Sequence, residues 1–548
     1  MKQFTPMLFS SLKGYNGKSF LSDVIAGIIV AIIALPLSIA LALASGVGPE
    51  QGLYTAIVAG FLISFFGGSK VQIAGPTAAF ATIVAGIVAT KGMDGLIVAT
   101  VMAGILLIIM GIFKFGSLIK FIPYTITTGF TAGIAVTILI GQLKDFFGVT
   151  YLNGESPIEA VEKLEALFQN FGTFNIHAVI VGVVCLIILF LFPKVTEKIP
   201  SSLIAVFAGI LMVKFLPLEV NTIGDLYEIS NKLPTLSVPK FSFTMVRDLL
   251  PDAVTIAILA GIESLLSCVV ADGMINSKHR SNMELVAQGI GNVGSALFGG
   301  IPATGAIART AANVKNGGKT PVAGIVHAVT LALVLVILMP YASWIPMPTI
   351  AAILINVAYN MCQWKPFVNL VKKAPKSDIA VLIITFVLTV LFDLVIAIEF
   401  GLILAAILFI KRMSEEMNVE NWKYVEDEND PDSINLRVVD KGIRVYDISG
   451  PLFFAVTDRL SNIKTKDFTK CLILRMRSVP SLDATALQSL ESLLEHCRKK
   501  GITLIFSHVN PQPFKTMEKA GFTEKVGAEN FCKSIDFALS RANEIINN

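Results

Sequence analysis

Two ionisable residues stand inside otherwise apolar sequence, and both could handle a charged solute. Arg309 lies in Ala306-Ile307-Ala308-Arg309-Thr310, and Glu263 in Gly261-Ile262-Glu263-Ser264-Leu265-Leu266-Ser267. A charge in a membrane-like setting costs on the order of 3 kcal/mol on insertion scales, so it needs a compensating role. A guanidinium can oppose an oxyanion or pair with a carboxylate through its planar fork of N–H donors. The plainer alternatives are a structural salt bridge or a snorkelling side chain. Glu263 is the only acid between Asp252 and Asp272. Such a carboxylate can take up a proton or cation in one state and release it in another, or serve only as a fixed partner for Arg309.

Arg309 follows the second of two matching breaks in the apolar sequence. The first reads Phe65-Phe66-Gly67-Gly68, then Ala74-Gly75-Pro76-Thr77-Ala78-Ala79; the second reads Leu297-Phe298-Gly299-Gly300, then Pro302-Ala303-Thr304-Gly305-Ala306. Paired interruptions at corresponding positions of two repeats point to a transporter's binding site. A helix starting inside a bilayer presents unpaired N–H groups and a dipole end worth about half an elementary charge. Two such starts facing each other would cradle an anion. Thr77, Ala78 and Ala79 would open one helix, and Gly305 and Ala306 the other. Small residues allow close backbone approach, while Thr77 and Thr304 add hydroxyls. Ser38, beside the helix-kinking Pro36, and Gln72 are further polar liners. The substrate candidates are therefore Thr77, Ala78, Ala79, Gly305, Ala306, Arg309 and Ser38. Glu263, Ser267 and Thr304 are the coupling-ion candidates.

The elements that must position these residues are membrane spans. The chain has 548 residues, of which 54% are hydrophobic and only 15% charged; its mean hydropathy is +0.71. Residues 24–412 hold long runs nearly free of charge, several exceeding the roughly 20 residues that cross a bilayer. Fourteen segments are expected, with cores at 22–45, 50–67, 76–90, 95–113, 121–142, 176–193, 199–216, 250–272, 283–299, 304–315, 320–340, 347–362, 378–393 and 395–411. Segments 3 and 10 begin at the two breaks. Lys114, Lys120, Lys194, Lys198, Lys278, Arg280, Lys315, Lys319, Lys411 and Arg412 collect on one side. The positive-inside rule then places the amino terminus in the cytoplasm and inverts the second seven segments relative to the first. Ile122-Pro123-Tyr124-Thr125-Ile126 and Ile345-Pro346-Met347-Pro348-Thr349-Ile350 form a second internal match. His177 and His327 read as structural. The six scattered cysteines fit neither a metal site nor a disulfide framework. No cofactor, nucleophile–base pair or nucleic-acid surface is indicated.

With these residues in view, the chain resembles the sulfate-permease (SulP) family, kin to the solute carrier 26 anion transporters. The resemblance rests on Gly52-Leu53-Tyr54, Ala74-Gly75-Pro76-Thr77-Ala78 and Pro302 to Thr310. It implies an all-α membrane domain with a seven-plus-seven inverted repeat, divided into core and gate parts. It also implies an anion site between helices 3 and 10, elevator-like alternating access and a homodimer in the inner (plasma) membrane. The expected substrate is a small anion such as sulfate, bicarbonate or a dicarboxylate. An anion channel or exchanger, and a sodium-coupled bicarbonate symporter, are the alternatives. Some relatives place an acid within helix 1; none interrupts Val24–Pro49 here. Sodium-coupled bicarbonate members carry Asp where Glu263 stands and lack an arginine matching Arg309. The resemblance therefore implies proton coupling or sodium independence, with H+ favoured over Na+.

After Arg412 the composition becomes soluble. The transport domain is assigned to 1–412, an acidic linker to 413–433 and a cytoplasmic α/β domain to 434–548. Ile434–Val439 and Ile443–Ile448 read as paired strands, Cys471–Met476 and Thr503–Phe506 as buried strands, and Leu482–Lys499 and Gln512–Ala520 as helices. Leu472 to Met476 and Ser481 to Leu487 resemble a STAS domain. Regulatory members carry a phosphorylated serine where Ala484 stands, so a role in assembly or trafficking is expected rather than a phospho-switch.

Overall fold

The computed structural model describes residues 4–117, 123–151, 157, 159–196, 200–237, 239, 242–392, 394–421, 439–456, 460, 463, 465 and 467–547. Two compact units divide at Leu402 and Ile403. In the first, the principal helices are α1 (Gly17–Ala44), α2 (Pro49–Phe66), α3 (Ala81–Ile112), α4 (Tyr124–Phe147), α5 (Ile176–Val195), α6 (Ser201–Phe215), α7 (Leu250–Ile275), α8 (Ser281–Leu297), α9 (Ile307–Lys315), α10 (Val322–Leu338), α11 (Met347–Cys362) and α12 (Lys376–Leu391). A further helix, α13 (Leu394–Glu415), runs on into the second unit. Gly92, at φ 68°, breaks α3 into two spans. The fourteen expected segments therefore each coincide with helix. Phe207, Leu333 and Ile187 are more than half exposed, as befits side chains that face hydrocarbon.

The packing pattern follows the inverted repeat. The second half of α3 packs on α8, and the repeat-related pair α10 packs on α2. Likewise α12 packs on α4, and its counterpart α5 packs on α11. Glycine permits the closest of these crossings: a Cβ at Gly104 would meet the Gly289 carbonyl, and one at Gly289 the Gly104 carbonyl. Small residues at the crossing let helix backbones approach where lipid supplies no hydrophobic drive. Helices α1–α3 and α7–α10 form one group, and α4–α6 with α11 and α12 form another.

The two breaks meet between the helices. Strand β1 (Ala74–Gly75) pairs antiparallel with β2 (Thr304–Gly305), opposing Ala74 to Gly305 and Gly75 to Thr304. Unwound backbone at this depth must satisfy every N–H and C=O within the protein. Asn292 supplies both partners for Ala303, accepting from its N–H at 2.9 Å and donating to its carbonyl at 2.8 Å. Asn313 donates to the Val71 carbonyl and Thr310 accepts from the Ile73 N–H. The Thr55 hydroxyl accepts from Ile301 N–H at 2.7 Å.

The second unit is a five-stranded sheet in sequential order: β3 (Asn418–Asn421), β4 (Ile443–Ser449), β5 (Cys471–Ser478), β6 (Thr503–Ser507) and β7 (Phe531–Cys532). All its pairings are parallel except β3 with β4. Helix α14 (Ala484–Lys499) connects β5 to β6, α15 (Pro511–Lys519) lies between β6 and β7, and α16 (Ile535–Asn547) follows β7. Leu472, Leu474 and Leu490 fill one face of the sheet, and Ile473, Ile505 and Ala538 the other. Of the strand expected at 434–439, residues 434–438 lie outside the described residues. Among those described, residues 418–421, in the acidic stretch, supply the edge strand beside β4. Charged edge strands are common, which is why composition alone reads them as linker. Asp483 caps α14, accepting from Ala486 N–H at 2.8 Å, and Ala484 opens that helix.

Candidate functional site

Two helix starts flank the β1–β2 crossing. Thr77, in extended backbone, precedes a single 3-10 turn, Ala78–Phe80, that leads into α3. Ala306, also extended, precedes α9. Neither start receives a side-chain cap, so first-turn N–H groups are left for another acceptor. Ala78, Ala79 and Ala306 are buried. Gly305 has to be glycine because a Cβ there would run into the Gln72 carboxamide, with Cδ 2.5 Å away. At Gly75 a Cβ would stand 2.5 Å from Arg309 Nη1.

Arg309 is 2% exposed. Its Nη2 donates to the Pro76 carbonyl, tying α9 to the opposite break. Nε and Nη1 are buried with no partner among the described residues. No ion pair joins Arg309 to Glu263 among the described residues. Glu263 instead accepts from the Thr77 hydroxyl at 2.9 Å, so a carboxylate on α7 is fastened to the start of α3. The arrangement places a guanidinium with unused donors beside two uncapped helix starts, and a carboxylate on one of those starts.

The remaining candidates fall around this centre. Thr304 donates to the Ala260 carbonyl at 2.9 Å, one turn before Glu263 on α7. Ser267 donates to the Thr310 hydroxyl at 3.3 Å, one turn after it. Thus α7 touches β2, the α3 start and α9 in succession. Ser38 is wholly buried and its hydroxyl has no partner among the described residues. Its carbonyl abuts Gly52 of α2, and among the described residues no hydrogen bond joins Ser38 to Thr77 or Arg309.

Sequence reasoning missed Glu284. This carboxylate is fully buried. It accepts from Gly68 N–H at 2.8 Å, Ser69 N–H at 3.2 Å, Gln72 Nε2 at 2.9 Å, the Ser264 hydroxyl at 3.3 Å and Gln288 Nε2 at 2.9 Å. Five neutral donors replace its hydration, so Glu284 anchors the first break to α7 and α8 with no ion pair among the described residues. Glu284, Gln288 and Asn292 recur every four residues, a polar stripe on one face of α8 that could have revealed it.

The sequence model of the sulfate permease family matches residues 20–385, and that of the STAS domain residues 436–538. The chain belongs to the sulfate permease family. It is 42% identical to the Bacillus subtilis protein YvdB, provisionally named a sulfate transporter, over 96% of this chain and 98% of that one. It is 31% identical to the bicarbonate transporter BicA of a Picosynechococcus species, over 95% of this chain and 94% of that one. The fold matches that of murine Slc26a9, an anion transporter solved in the inward-facing state, with a TM-score of 0.87 at 19% identity, covering 98% of this chain and 94% of that one. The family's membrane domain and STAS module are thus both present.

Proposed function

We propose that this protein is a secondary active transporter that carries a small oxyanion, such as sulfate or bicarbonate, or a small dicarboxylate. The observation that carries the reading is the buried guanidinium of Arg309, with Nε and Nη1 unpartnered, beside the uncapped starts at Ala78 and Ile307. Helix dipole ends and a fork of N–H donors together favour a compact negative solute. Substrate contacts are assigned to Thr77, Ala78, Ala79, Gly305, Ala306 and Arg309, with Ser38 on the adjoining helix.

Glu263 is assigned the coupling role, with Ser267 one turn on along α7 and Thr304 on β2 bonded to the Ala260 carbonyl one turn before it. When ionised, it offsets the positive field of Arg309 and opposes a second negative charge. When protonated, it leaves that field uncompensated and the anion binds more tightly. Proton and anion then travel together, a symport that needs no sodium. Transport proceeds as the α1–α3 and α7–α10 group shifts past the other helices. The protein works as a homodimer in the inner (plasma) membrane, with its amino terminus and STAS domain in the cytoplasm.

The deciding experiment is uptake into proteoliposomes of sulfate, bicarbonate and dicarboxylates, at two pH values and with or without sodium. Accumulation above the outside concentration, driven by an inward proton gradient and indifferent to sodium, is the expected result. Flux that only runs downhill at channel-like conductance would replace the reading with an anion channel. Strict sodium dependence would replace it with a sodium-coupled bicarbonate symporter.

A further inference from the structure

Behind the β1–β2 crossing, α2 and α10 meet in a reciprocal way. The Ser64 hydroxyl on α2 occupies the space that a Cβ at Gly324 on α10 would need. One turn on, the His327 ring on α10 faces Gly60 on α2, where a Cβ would stand 3.8 Å from Nδ1 and 3.3 Å from the Ala74 carbonyl. Each polar side chain thus sits over the other helix's glycine. His327 is completely buried. Both of its ring nitrogens, and the Ser64 hydroxyl, have no hydrogen-bond partner among the described residues.

A packing role alone does not account for an imidazole here. Leucine would fill the space without burying two polar atoms, and buried polar groups in native proteins are nearly always partnered. The partner in need is close by. The Ala74 carbonyl, which faces Gly60 beside the His327 ring, adjoins Gly75, against which Arg309 Nη1 is packed. Arg309 has only donors to offer, two of them unused. A neutral imidazole supplies an acceptor and adds no charge. A carboxylate at 327 would also accept, but it would cancel the positive field that an anion needs.

We propose that His327 is a positioning residue for Arg309. Its imidazole accepts, through one water, from the guanidinium edge that Pro76 leaves unused. The proposal rests on Arg309 serving the anion, yet its test separates the two ideas.

Full-length protein labelled with 15N-histidine is reconstituted in liposomes and the His327 ring signals are assigned by their loss in His327→Gln. Arg309→Gln is expected to shift both ring signals. Unchanged signals overturn the proposal, whatever happens to transport. A shift with unaltered sulfate and bicarbonate affinity upholds the proposal and removes the anion role of Arg309. In parallel, His327→Leu is expected to weaken apparent sulfate affinity about tenfold, as for one lost hydrogen bond to a charged group. His327→Gln, which keeps an acceptor, should recover most of that loss. Equal losses for Leu and Gln, or none for Leu, refute the positioning role.

Discussion

Replacing Arg309 with glutamine removes one positive charge that, among the described residues, no carboxylate pairs with. The unpartnered Nη1 packs against Gly75, within about one helical turn, roughly 5 Å, of the α9 start. At an effective dielectric constant of about 20, a unit charge at that distance contributes about 3 kcal/mol to holding a monovalent anion. That corresponds to roughly a 100-fold loss of affinity, and to a still larger loss for a dianion. The lost attraction should scale with substrate charge, so sulfate should suffer more than bicarbonate. Arg309→Lys keeps the charge and loses the planar fork, and should fall between the two. Initial uptake rates in proteoliposomes across a substrate series give the apparent affinity; thermal unfolding of the same preparation monitors the fold. Because the guanidinium is buried with unused donors, its removal should leave the unfolding temperature unchanged or raise it. An apparent affinity within threefold of wild type, or equal losses for mono- and divalent anions, would refute the electrostatic reasoning.

Glu263→Gln should leave anion uptake running down its own gradient while abolishing the response to an imposed proton gradient; intact proton-driven accumulation would remove Glu263 from the coupling role. Gly305→Ala should lower both folded yield and uptake, since the added methyl meets a Gln72 side chain held by Ser264 and Glu284 and overpacking costs about 1–3 kcal/mol. Gly86→Ala, where nothing lies within 4 Å, is the matched control and should change neither. In the STAS domain, burial pushes the Cys471 and Cys497 thiols up to about 11 from an ordinary value of 9.0. An acid whose folded value is raised stabilises the fold fully below the unfolded value, so the domain should weaken as pH climbs from about 9 toward 11. Hydrogen exchange of β5 and α14 in the full-length protein measures this; a flat profile over that window would contradict it.

Much of this protein is written in one-dimensional pattern. Long apolar runs, basic residues at segment ends and two Gly-Gly breaks are local features, and hydrocarbon tolerates only backbone whose polar groups are satisfied within the protein. The span count, the inverted repeat and the position of the two breaks could therefore be read without coordinates. The STAS strands at 443–448 and 471–476 were legible for the same reason, as short β-branched runs between turns. Side-chain pairing was not legible. Whether Arg309 meets Glu263 or stands apart depends on how α7 and α9 cross, and that crossing puts Glu263 on Thr77 and Arg309 on Pro76. Glu284 and His327 looked ordinary because their meaning lies in partners more than two hundred residues away, or in the lack of partners. Hydropathy reports what a segment buries; only the folded chain decides which buried polar atoms find one another, because that is settled by helix crossings and glycine contacts remote in sequence.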